Sequence, residues 1–178
     1  MIKAIETAND LVRRYNQFRT PNELTDEIQR ATDINQDEAC ETAEAICKVE
    51  TFWIEAFSKG LTDMAFFEFY EYCIKHGYVV KSGKTGLYAY LALSVEDLAD
   101  KFDIAVDKFS DFREVEKIDP NEWLGIVRKD HSWHSMICFK NMDSKLRISD
   151  TSKRGIDKPF FDYITEENFK YITIMSMG

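Results

Sequence analysis

Long apolar runs, prolines and glycines are all scarce in this sequence. Three prolines and seven glycines among 178 residues exclude a collagen repeat and a low-complexity chain. No apolar stretch approaches the roughly 20 residues that cross a bilayer, so no membrane partner is expected. Met1 to Phe18 carry charges throughout and lack an apolar h-region, which reads as no signal peptide and points to the cytoplasm. Basic patches are missing too, the densest spots being Arg13-Arg14 and Lys153-Arg154. With 32 acidic against 23 basic residues and a net charge of −9, the surface repels a phosphate backbone and argues against nucleic acid. The four cysteines, Cys40, Cys47, Cys73 and Cys138, form no CxxC pair. That weakens zinc ribbons and redox motifs, and without an export signal they read as free thiols.

What is present is enough for a core. A chain of this length buries about 70 % of its unfolded surface, and no linker or repeat divides it, so 1–178 reads as one domain with 1–34 as an N-terminal helical extension. Ile5, Ala8, Leu11, Val12, Tyr15 and Phe18 recur at helical spacing, Thr20-Pro21 interrupts them, and Leu24 to Ala31 resumes the pattern. One long helix is expected from Asp37 to Phe57, with Ala39, Ala43, Ile46, Val49, Trp53 and Phe57 as its buried stripe, ended by Gly60. Thr62 or Asp63 caps the next, whose aromatic surface of Phe66, Phe67, Phe69 and Tyr70 stops at Gly77. Tyr78 to Val80 reads as a strand, and Ser94 starts a helix through Phe102. Thereafter Trp123–Arg128, His134–Lys140, Leu146–Asp150 and Phe169–Met175 are short β-branched or aromatic runs between turn residues. Helices first and an antiparallel sheet afterwards give an α+β class.

Three motifs lack a required part. Gly83-Lys84-Thr85 resembles a phosphate-binding loop, but the first glycine of that motif falls on Tyr78. Val95 to Phe109 has the outline of a helix-turn-helix, yet it carries Asp100, Asp103 and Asp107 where a reading helix needs basic or amide side chains. His131 and His134, near Asp130 and Cys138, have no second ligand pair elsewhere, so no metal and no organic cofactor is expected.

One constellation keeps its parts. Thiol catalysis needs a thiolate, an imidazole that exchanges its proton, and a carboxylate that holds the imidazole's tautomer. If Asn35 or Asp37 caps the helix, Cys40 falls near its first turn, where free N–H groups favour a thiolate. Cys47 lies two turns deeper and receives little of that field. Asp37, Glu38 and Glu41 oppose a thiolate at Cys40, so activation there requires an imidazolium. On the later strands, matching the face of Met136 and Cys138 to that of Leu146 and Ile148 pairs Met136 with Asp150. His134 and Asp150 then become diagonal neighbours, a conclusion that a one-residue slip would reverse. His131, before the strand, is the weaker base.

Asp37-Glu-Ala-Cys40-Glu-Thr-Ala43, Trp133-His134-Ser-Met-Ile-Cys-Phe139 and Leu146-Arg-Ile-Ser-Asp150-Thr151 together resemble papain-like cysteine peptidases of the C39-like type found in bacteria and their phages. The resemblance implies a papain-like fold, N-terminal helices on a C-terminal antiparallel sheet, and a Cys40-His134-Asp150 triad acting on a peptide or other amide-containing substrate. It also implies Gln36 as the oxyanion donor, four residues before Cys40, a shorter spacing than papain's. Glu41 stands where the family commonly has a small residue. The alternative is a non-enzymatic acidic binding protein, a phage-type inhibitor of a basic host protein, or a degenerate peptidase fold used for docking.

Overall fold

The structure is a computed structural model that describes residues 21–117, 123–129, 132–140, 145–150 and 157–178. The helical stripe expected from Ile5 to Phe18, and most of the 1–34 extension, lie outside these residues. Among the described residues four helices come first: α1 (Pro21–Ala31), α2 (Gln36–Ala45), α3 (Cys47–Ser58) and α4 (Phe66–Lys75). A two-stranded ribbon of β1 (Val79–Val80) and β2 (Tyr90–Leu91), the helix α5 (Val95–Asp100) and β3 (Val106–Phe109) follow. The remainder holds β4 (Trp123–Lys129), β5 (Ser132–Lys140), β6 (Leu146–Asp150), β7 (Asp157–Pro159), the short helices α6 (Phe160–Tyr163) and α7 (Glu166–Phe169), and β8 (Ile172–Met177). The class is α+β, with every described strand pair antiparallel.

The single helix expected from Asp37 to Phe57 is two, broken at Ile46, whose φ of −83° and ψ of 21° leave the helical region. The two halves serve different partners. α2 packs on α1, whereas α3 packs on β5 and β4, and the break lets a fully buried Ile46 hold the corner. The expected caps of the next helix, Thr62 and Asp63, are displaced as well. Trp53 Nε1 donates to Met64 O at 2.9 Å, which keeps Met64 out of the helix, and Ala65 becomes a cap without a side-chain bond. Gly60 and Gly77 end α3 and α4 at positive φ. In each case the residue after the glycine donates back to the carbonyl five residues before it, Leu61 to Ala56 and Tyr78 to Cys73, as a Schellman turn does.

The larger sheet runs β3-β8-β4-β5-β6-β7, so the final strand is inserted between β3 and β4. Its alternation divides the molecule into layers. Met175 and Met177 enter a first core with Val49, Phe52, Phe69, Tyr70 and Leu98 of the helical layer. Ile172 and Ile174, of the other parity, enter a second core with Val115, Cys138, Ile148, Phe160, Ile164 and Phe169. Successive residues of a strand face opposite ways, and this sheet is covered on both sides.

The two outlined motifs resolve into ordinary structure. Residues 83–85 form an exposed turn in which Ser82 Oγ accepts from the Lys84 and Thr85 N–H groups. Val106–Phe109, the second element of the helix-turn-helix outline, is a strand. Asp130 and His131 lie outside the described residues.

Candidate functional site

Asn35, not Asp37, is the cap of α2. Its side chain accepts from Glu38 N at 2.9 Å while Glu38 Oε2 accepts from Asn35 N at 3.1 Å, a capping box built with asparagine. Gln36 is the exposed first residue of the helix and Cys40, half-buried, is its fifth. Glu38 lies at the first turn of α2, beside the 82–88 loop: a Cβ placed on Gly86 would stand 3.9 Å from Glu38 Oε1. Tyr88 OH donates to Asp33 at 3.0 Å, and Tyr70 OH donates to Tyr88 O at 2.9 Å. The bond to Asp33, followed by burial and by that carboxylate's charge, raises the Tyr88 hydroxyl above its ordinary pKa. Among the described residues, α1 and the ribbon loop border Cys40's helix.

His134 and Asp150 belong to the sheet. β5 and β6 pair with Met136 opposite Asp150 and Cys138 opposite Ile148, which is the register expected from the alternating faces. His134, two residues before Met136, is therefore the diagonal neighbour of Asp150. The same ladder places Val127 opposite both His134 and Ile172. By register, the positions of His134, Asp150 and Ile172 share the parity that takes Cys138, Ile148 and Ile174 into the second core.

α2 and α3, which carry Cys40 and Cys47, stand in the layer of the first core. Two positions of the constellation are diagonal neighbours by register, and the helix bearing the third packs in the other layer. Cys47 is the first residue of α3, the helix on β5. The break at Ile46 brings it to a helix start that the unbroken pattern did not show. The other two thiols are poor nucleophiles. Burial pushes Cys73 up to about 12, and burial, with the Glu55 carboxylate adding to it, pushes Cys138 well above its ordinary value. A thiol at such a pKa is almost wholly protonated at neutral pH.

In the sequence the acidity of α2 counted only against a thiolate at Cys40, not as a surface of its own. Between Ala31 and Lys48 stand Asp33, Asp37, Glu38, Glu41 and Glu44 with no basic residue among them. Asp33, Asp37 and Glu41 are exposed, and Asp37 and Glu41, four apart, share one helix face. The signal was present as a charge run. Its anchoring by Tyr88, 55 residues away, was not. Among the described residues no three His, Cys, Asp or Glu side chains gather as a metal site, and no described helix is long and apolar enough to cross a membrane. No protein-family model matches the chain, and no curated protein matches it.

Proposed function

We propose that this chain is an acidic binding protein that presents the α2 edge to a basic protein partner. One observation carries the reading: Asp33, Asp37 and Glu41 are exposed together, within a stretch of five acids and no base, on a molecule of net charge −9. Carboxylates so placed attract a lysine- or arginine-rich surface over several ångströms and raise its association rate. The 82–88 loop braces the edge, because Tyr88 and the Asn35 box hold the start of α2 in place.

The test uses the whole chain and a lysine- and arginine-rich peptide as probe. Neutralising the edge with Asp37→Asn and Glu41→Gln weakens binding about ten-fold, and raising salt from about 50 mM to 300 mM weakens it similarly. The control pair Asp100→Asn and Asp103→Asn, on exposed residues elsewhere, leaves binding near the wild-type value. Equal losses in both variants reduce the attraction to overall charge and remove the α2 edge from the account.

A second reading is favoured by the diagonal register of His134 and Asp150. It is a cysteine-dependent amide hydrolase of the papain-like, C39-like kind, with Cys40 as nucleophile, His134 as base then acid, Asp150 as orienting carboxylate and Gln36 at the oxyanion. It requires turnover of a fluorogenic peptide amide that Cys40→Ala and His134→Ala each abolish. Turnover unchanged in either variant, or absent from the wild type, ends it.

A further inference from the structure

We infer that Glu55 and Lys59 act as a side-chain latch that ties the end of β8 to α3. Gly178 N–H donates to Ala105 O at 3.0 Å and Ala105 N–H donates to Gly178 O at 3.1 Å. In an antiparallel ladder such mutual bonding alternates from one residue to the next, so Met177 turns its N–H and C=O the other way, toward β4.

α3 reaches these groups with two side chains. Glu55 Oε1 accepts from Met177 N–H at 3.1 Å, and Lys59 Nζ donates to Met177 O. The carboxylate takes the role of a strand carbonyl and the ammonium that of a strand N–H. Lys59 Nζ also donates to Glu55 Oε1 at 3.1 Å, so each charge answers the other. The pair is preset by the helix, since residues four apart are neighbours on one face. Glu55 is 2 % exposed, where a charge without a partner is costly.

The latch joins two layers. α3 belongs to the first core, and β8 also supplies Ile172 and Ile174 to the second. Holding Met177 fixes the register of the last strand against the helix and withholds its backbone groups from any added strand.

Residue-resolved amide hydrogen exchange on the full chain tests this. In Glu55→Ala the Met177 amide exchanges at least about ten-fold faster, while the amides of Phe52 and Ile54 keep their rates, as expected of a local opening. In Lys59→Met the Met177 amide also accelerates, by a smaller factor of about three, because its bond to Glu55 remains but loses the neighbouring charge. No acceleration at Met177 overturns the proposal, as does uniform acceleration of all slow amides. Should Glu55→Ala not fold, Lys59→Met decides by the same two criteria.

Discussion

The two sides of the six-stranded sheet are covered by different materials. The first core is helical and aromatic: Phe52 stacks on Phe69 with centroids 5.7 Å apart, and Phe102 contacts both rings. The second is made of strand residues closed by the short helices α6 and α7, with Phe112 against Phe160, Phe161 and Phe169. The first core draws mostly on residues between Ile28 and Ile104 and is closed by the distant Met175 and Met177, whereas the second lies wholly between Val115 and Ile174. The sheet therefore acts as a partition, and a residue's parity on a strand decides which layer it can serve.

The largest effect separating the sides comes from their phenylalanines. Phe52→Ala removes a fully buried ring and costs about 4 kcal/mol, and Phe160→Ala, beside the partly exposed Phe161, costs about 3 kcal/mol. Urea unfolding followed by far-ultraviolet circular dichroism measures both. A reversed order would make the second core the dominant one.

Alkaline pH probes each side through buried acids. Cys73 in the first core and Cys138 in the second have thiols raised above their ordinary 9.0, and Tyr70 is raised above its ordinary 10.0, by burial first and then by Tyr88. A raised pKa means that the folded state keeps a proton the unfolded state releases. Stability is thus whole below pH 9 and falls as pH climbs above it. Cys73→Ala and Cys138→Ala should each flatten that fall when urea midpoints are compared between pH 8 and 10.5. A slope unchanged in both variants contradicts the burial of these thiols.

Smaller effects sharpen the helical side. Asn35→Ala removes the α2 cap and costs about 1 kcal/mol, read from the same urea curves. Tyr88→Phe deletes the bond to Asp33, exposed in part, and costs about 0.5 kcal/mol. It also weakens the basic-peptide interaction by about two-fold if the loop braces the α2 edge.

Much of the local structure was legible because it rests on neighbours in sequence. Gly60 and Gly77 marked helix ends, Ser94 accepts from Asp97 N at 3.1 Å as a cap should, and alternating faces were sufficient to pair Met136 with Asp150. What stayed hidden depends on distant partners. The corner at Ile46 exists because α2 and α3 answer to different surfaces, and no glycine or proline announces it. β3 and the position of β8 beside it follow from pairing over long separations, and the expected strand from Phe169 begins only at Ile172 because Thr165 caps α7 first. For the site, the sequence disclosed the His134 and Asp150 register but not the side of the sheet on which it falls, since that depends on where the helices pack.

The partition is tested most directly by the rate at which iodoacetamide alkylates Cys40 in the native chain at pH 7, measured by peptide mass spectrometry for the wild type and for His134→Ala. With α2 in one layer and the His134 register in the other, Cys40 reacts no faster than free cysteine and His134→Ala leaves its rate unchanged. A Cys40 rate about ten-fold or more above free cysteine, lost in His134→Ala, would contradict the account and establish the thiol and imidazole as one site.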